Sequence, residues 1–167
     1  MIIKDIVYFS KIDPNSDAKI PTKREEDGGY DLYASFPEEY ILIEPFTSKL
    51  VPTGIASAFS NEYVAILRER GSTGIKNVKI NAGVIDSGFR NQWFVLIYNG
   101  NEKPLLITKE TDTEYLQDDY IIYPYSKAIA QFLFVSVPKI RINKVTYEDI
   151  LKISSERGMG QLGSSNK

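Results

Sequence analysis

Turn-forming residues cut this chain into short, β-branched apolar runs, and that pattern limits its fold more than any other feature. Residues 2–9, 40–43, 50–56, 63–67, 93–98, 105–107, 121–123 and 128–135 each have the length and composition of a strand, and each is too short for an ordinary helix. Asp13-Pro14-Asn15-Ser16-Asp17, Asp27-Gly28-Gly29, Glu44-Pro45, Pro52 and Ser60-Asn61 separate the earlier ones. Many short strands at this spacing predict an all-β sandwich or barrel. One short helix is expected over residues 146–152, with Thr146 as its N-cap.

The 167 residues are 43% hydrophobic and 25% charged, which suits one domain, residues 1–167, burying roughly 70% of the surface its unfolded form exposes. No internal repeat or linker divides it. A net charge of −2 provides no global basic field, so neither nucleic-acid binding nor adhesion to an anionic membrane is expected. No apolar run approaches the ~20 residues of a membrane span, and residues 1–5 lack the apolar region of a signal peptide. The expected location is the cytoplasm.

Two absences constrain the chemistry. Without histidine, Ser-His-Asp triads and histidine-bound zinc are excluded. Without cysteine, thiol nucleophiles, thiolate metal sites and disulfides are excluded as well. Catalysis must then rest on Asp, Glu, Lys, Tyr or Ser, with Arg and backbone N–H groups stabilising charge and a hard, oxygen-seeking cation if a metal takes part.

Several stretches carry polar residues suited to such chemistry. Residues 80–94 predict a β-hairpin in which Val84-Ile85 leads in, Ser87-Gly88 forms the tip and Trp93-Phe94-Val95 leads out, holding Asp86 near its mouth. That carboxylate is positioned either to take a proton from water or simply to stabilise the turn. Asp31, after Gly28-Gly29, has the same two readings, as a functional carboxylate or as a turn or capping residue. Arg68 to Gly74 brings two arginines into a small-residue segment that opens a brief helical turn and suits phosphate oxygens; a solvated charged turn is the alternative. Gln131 interrupts the apolar run 128–135 and needs partners, either a neighbouring backbone group or a ligand. Residues 109–119 form a polar, acidic surface excursion, and 154–165 a tail of glycines, hydroxyls and Arg157 able to fold over a polyphosphate or to remain disordered.

Taken in order, these pieces resemble the five motifs of the trimeric dUTPase family, spread over nearly the whole chain. GYDL at 29–32 is similar to the first, RGST at 70–73 to a variant of the second, AGVIDSGFR at 82–90 to the third, IAQ at 129–131 to the fourth, and RGMGQLGSS at 157–165 to the fifth. The resemblance implies an all-β, jelly-roll-like β-clip subunit, a homotrimer with sites shared between subunits, and hydrolysis of dUTP to dUMP and pyrophosphate. It implies that Asp86 activates the attacking water. Asn81, Gly83, Val84 and Ile85 would read uracil, Phe89 would stack on the deoxyribose, and Leu162 would lie over the nucleoside. Arg70, Gly71, Ser72, Gln131, Arg157, Ser164 and Ser165 would hold phosphates, residues 154–167 acting as a lid. Mg2+ would ride on the triphosphate mainly through waters, supported through water by Asp31.

The chain departs from the family pattern in four places. The second motif reads Arg70-Gly71-Ser72 where Arg-Ser-Gly is usual. Phe89 replaces a tyrosine, Leu162 replaces an aromatic residue with Gln161 replacing a glycine before it, and residues 109–119 lengthen the connection between the third and fourth motifs. Two other functions fit the same resemblance: an enzyme related to dCTP deaminase, and a dUTP-binding regulatory trimer. The deaminase glutamate is expected on the strand after the third motif, where Val95, Leu96 and Ile97 stand instead.

Overall fold

A computed structural model describes residues 5–160. In chain order the strands are β1 (Tyr8–Lys11), β2 (Tyr30–Leu32), β3 (Tyr40–Ile43), β4 (Ser48–Pro52), β5 (Ile55–Ala58), β6 (Tyr63–Arg68), β7 (Val78–Asn81), β8 (Val84–Ile85), β9 (Phe94–Asn99), β10 (Leu105–Thr108), β11 (Ile121–Pro124) and β12 (Ala130–Ser136). Two short helices, α1 (Gly71–Gly74) and α2 (Tyr147–Leu151), complete the set with a single 3-10 turn at Glu114–Leu116. The strands form small sheets ordered β2-β12-β6-β8, β4-β9-β7, β11-β10-β3 and β1-β5, so the fold is all-β as the punctuation predicts.

Alternation along β12 separates core from cleft. Phe132 is fully buried and packs against Tyr30 (centroids 5.3 Å apart, nearly parallel) and Trp93 (5.1 Å, edge to face), while Phe9 meets Trp93 edge-on at 5.4 Å. The Trp93 indole N–H donates to Ser57 Oγ, so the largest buried ring leaves no polar atom unpaired. Because strand side chains alternate, Gln131 faces away from this cluster, and its ladder partners on either side are Asp31 in β2 and Arg68 in β6.

Residues 50–56, expected as one strand, are two. Gly54 sits between β4 and β5 with φ +69°, and a Cβ there would lie 2.7 Å from Ala18 Cβ and 2.9 Å from Ser35 Oγ. The chain turns at this glycine, β4 pairing with β9 and β5 with β1. The first strand likewise starts later than expected, at Tyr8; residues 1–4 lie outside the described residues.

The hairpin expected at 80–94 is also paired differently. β9 returns antiparallel to β7, with Asn81 opposite Leu96, whereas β8 leaves that sheet and pairs with β6, Ile85 opposite Ala65. Local pattern matched Val84-Ile85 to the apolar run that follows it, but the run that receives it, β6, precedes it in the chain. The polar excursion has a topological role too. β10 and β11 are parallel neighbours, and parallel strands require a crossover, which residues 109–120 supply. Its first residue is fastened, Lys109 Nζ donating to the Phe36 carbonyl over 2.7 Å, and just past β11 Tyr125 donates its phenol to Asp17 Oδ2 over 2.7 Å, Asp17 Oδ1 taking a further bond from Ser35.

Among the described residues, none beyond β12 belongs to this core. Ile140, Ile142, Val145, Tyr147, Ile153 and Met159 are all more than half exposed. Helix α2 forms where expected, with Thr146 Oγ1 accepting from the Asp149 N–H, yet it buries no residue.

Candidate functional site

A polar cleft of about 760 Å³ is lined by residues 22–24, 27–29 and 31, by Arg70, Gly71 and Ser72, and by Gln131. Four of the residues singled out for phosphate contact therefore meet in space with Asp31, although they come from β2, the β6–α1 junction and β12.

The second-motif segment is rigid for local reasons. Arg70 has extended backbone (φ −80°, ψ 155°) at the N-cap position of α1. Its N–H donates to Thr73 Oγ1 over 2.9 Å, and the same hydroxyl donates back to the Arg70 carbonyl over 2.8 Å. Thr73 is buried and lies outside the phosphate-binding set drawn from the sequence; its signal is a hydroxyl three residues after the arginine at a helix start. Gln131 supports the preceding residue, its Nε2 donating to the Glu69 carbonyl over 2.7 Å. Glu69 in turn accepts the Ile80 N–H at 2.9 Å, and that bond holds its carboxyl below the ordinary carboxylate range. Of the two readings open for Gln131, backbone support is thus present, and the same side chain lines the cleft.

Arg70 Nε lies 2.9 Å from Asp31 Oδ1, with both side chains about two-thirds covered. Asp31 is therefore not a capping residue but the counter-ion of the cleft's inner arginine. Gly29 approaches so closely that a Cβ would fall 2.6 Å from Gln131 Oε1, whereas one on Gly71 would meet nothing within 4 Å. Beneath the cleft, Tyr123 is buried, its phenol donating to the Ala128 carbonyl. Burial pushes that phenol's pKa up, while the neighbouring Arg70 and Ser72 side chains oppose the rise. Tyr123 was not among the site residues expected, because nothing in Ile121-Ile122-Tyr123 distinguishes it from core.

Asp86 does not line this cleft. It is exposed, in a turn closed by the Phe89 N–H on its carbonyl at 3.0 Å. β8 stands three strand positions from β2, about 14 Å at ordinary strand spacing. The loop itself is well anchored. Ala82 has φ +47°, the Leu67 N–H donates to the Gly83 carbonyl over 2.7 Å, and a Cβ on Gly83 would fall 2.6 Å from the Leu67 carbonyl oxygen. That packing leaves Val84 60% and Phe89 40% exposed on one edge of the subunit while Ile85 is buried. Asn81 donates to Ser48 Oγ. Arg157 lies in the exposed tail; Gln161, Leu162, Ser164 and Ser165 lie outside the described residues.

Among the described residues no three acidic side chains group to hold a cation. Of the two carboxylates lining the cleft, Asp31 is paired with Arg70 and Asp27 with Arg24. This donor set suits a magnesium ion that keeps its waters and is brought in on phosphates, and does not suit a bare ion caged by protein.

Comparison with known proteins identifies the family. The family model described as dUTPase matches residues 16–112, more than half of the chain. The deoxyuridine 5'-triphosphate nucleotidohydrolase of Clostridium tetani is 28% identical over 155 residues, covering 90% of this chain and 91% of that protein. The Pol polyprotein of caprine arthritis encephalitis virus is 38% identical over 85 residues, 51% of this chain but only 7% of the polyprotein. Among solved structures, the Staphylococcus bacteriophage 80alpha dUTPase with dUPNHPP superposes with a TM-score of 0.72 at 21% identity, covering 97% of this chain and 99% of that one. The native dUTPase of EIAV superposes at 0.61 and 16% identity, over 85% and 98% of the respective chains. With the matched segment carrying Asp31, Arg70 and Asp86 alike, the chain belongs to the dUTPase family.

Proposed function

We infer that the protein hydrolyses dUTP to dUMP and pyrophosphate in a site completed by assembly into a homotrimer, each subunit, residues 1–167, being a single domain. The observation that carries this reading is the division of the site within one chain. Arg70, Gly71, Ser72 and Gln131, four of the residues read as phosphate-binding, line one cleft, while Asp86 and Phe89 are exposed on an anchored loop elsewhere. Such a chain gains a complete site when the loop of one copy faces the cleft of another.

In that arrangement Asp86 accepts a proton from water as its oxygen attacks the α-phosphorus, and the bond to the bridging oxygen breaks so that pyrophosphate leaves. Arg70, Gly71, Ser72 and Gln131 hold the phosphates, and Arg70 neutralises charge as it develops. Backbone groups of residues 81–85 read uracil, with Phe89 against the deoxyribose. Arg157, Leu162, Ser164 and Ser165 close over the bound nucleotide, residues 154–167 serving as the lid. Magnesium, bound through the triphosphate and water with Asp31 behind it, would supply further charge neutralisation. A cytoplasmic location fits this role, and among the described residues no helix is long and apolar enough to cross a membrane.

Deamination of dCTP is disfavoured by β9, where Val95 and Ile97 are buried apolar residues at the positions expected for a glutamate. Pyrophosphate release measured with dUTP, dCTP, dTTP and UTP, with and without magnesium, tests the reading. The expected result is magnesium-dependent release from dUTP far above the other three. Binding of dUTP without release would favour the regulatory trimer, and ammonia from dCTP would favour the deaminase.

A further inference from the structure

The cleft contains a second arginine–aspartate pair whose function the dUTP-hydrolysing site just described does not use. Arg24 forks onto Asp27, with Nε 2.8 Å from Oδ2 and Nη2 3.0 Å from Oδ1. Together with Lys23 and Arg70 it gives the cleft three cations against the carboxylates of Asp27 and Asp31. The two arginines differ in depth, the Arg70 side chain being 31% exposed and that of Arg24 88%, whereas their carboxylates scarcely do, Asp31 being 35% and Asp27 38% exposed. An inner arginine is held in the cleft, while an outer one stands at the rim.

The rim pair can open without unfolding its loop. Bonds that do not involve the guanidinium hold the loop: the Asp27 N–H donates to the Arg24 carbonyl at 3.2 Å, the Arg24 N–H to Asp27 Oδ2 at 3.4 Å, and the Lys23 ammonium to the carbonyls of Arg24 and Glu25. An exposed pair is worth little by itself because water and salt screen it. Two oxygens of one phosphate group offer the guanidinium the same two-point geometry as a carboxylate, with more charge.

Resting on the reading of this cleft as a triphosphate site, we propose that Arg24 is a further phosphate-binding residue, held by Asp27 in the free protein and transferred to the outer phosphates of the bound nucleotide. The depth of the two arginines sets the order of contact. Arg70 meets the phosphates near the nucleoside, and Arg24 meets those beyond. Asp27 is then a competitor for Arg24, and its removal strengthens binding.

Calorimetric titration of wild type, Arg24→Gln, Arg24→Lys and Asp27→Asn with a non-hydrolysable imido analogue of dUTP, with inorganic tripolyphosphate and with dUMP tests this. Arg24→Gln is expected to weaken the analogue and tripolyphosphate about tenfold while leaving dUMP unchanged, and Arg24→Lys to recover part of the loss. Asp27→Asn is expected to tighten both polyphosphates a few-fold. Equal loss for dUMP and the analogue, no loss in Arg24→Gln, or weakening in Asp27→Asn, as a merely structural pair would give, overturns the proposal. If wild type shows the Arg24-dependent binding yet releases no pyrophosphate from dUTP, the hydrolytic reading fails and the Arg24 assignment stands.

Discussion

The side-chain amide of Gln131 and the main-chain carbonyl of Glu69 are joined over 2.7 Å, so a residue of β12 holds the backbone immediately before Arg70. Replacing Gln131 with Met keeps the volume and removes the donor. The Glu69 carbonyl is then left short of a partner, and denaturant unfolding should show a loss of about 1 kcal/mol. Pyrophosphate release from dUTP should fall by more than that loss of stability explains, because Arg70 is no longer fixed. Unchanged turnover would show that the contact is structural only.

For Asp86, conversion to Asn retains shape and removes the base. Nucleotide affinity is expected to persist while kcat falls by roughly 10²-fold or more, the ordinary contribution of a positioned general base. Single-turnover measurement of dUTP cleavage checks this, and a variant as fast as wild type would refute the role.

Gly83 has no room for a side chain because the Leu67 carbonyl oxygen stands where the Cβ would go. Gly83→Ala must push β8 away from β6, at a cost of about 1–3 kcal/mol in thermal or denaturant unfolding. Since β8 leads directly into Asp86, activity should fall further than stability. Gly71→Ala, which meets nothing within 4 Å, is the control and should leave stability nearly unchanged.

The exposed apolar arm after β12 and the proposed lid beyond it should separate on truncation. If residues 157–167 supply ligand contacts as proposed, removing them cripples hydrolysis while leaving the proposed oligomer intact by light scattering. Removing everything from residue 138 onward, which deletes Ile140, Ile142, Val145 and Tyr147 as well, should shift the oligomer toward monomer.

Tyr125 gives a pH test. Burial, followed by its bond to Asp17, pushes its pKa up to about 12 from 10.0. Its folded-state value is thus above the unfolded one, so its contribution is complete below pH 10 and is lost as pH rises from 10 through 12. Unfolding followed across that window should show a steeper alkaline loss in wild type than in Tyr125→Phe. At the acid end the same pair acts in the opposite sense. The Tyr125 hydrogen bond, ahead of the other causes, lowers the Asp17 pKa from 3.8, so its contribution is present above that value and lost as pH falls through the lower, folded one.

How much of this was readable beforehand depended on the range of the interactions involved. Most strand positions, the Thr146 cap and the short helical turn at Gly71 follow from local chemistry, whereas the break at Gly54 and the late start of the first strand do not. The pairing of Val84-Ile85 with β6 does not, because two runs of similar composition compete and only tertiary packing chooses between them. Asp31, Arg70 and Gln131 were recognisable as candidates, but their convergence depends on β2 and β6 lying on either side of β12. Tyr123 and the Arg24–Asp27 pair were missed because a core-like tyrosine and a charged surface turn carry no distinctive local signature, whereas Thr73 had a capping signal at the start of α1 that went unused.

Gly54 has a wider consequence. With its left-handed backbone and no free volume around it, the position joins two sheets through a joint that no side chain fits. Random mutagenesis should therefore return almost no viable replacement there, although the residue does not line the cleft. A single missing methyl group decides that residues 48–58 make a corner rather than one continuous ribbon.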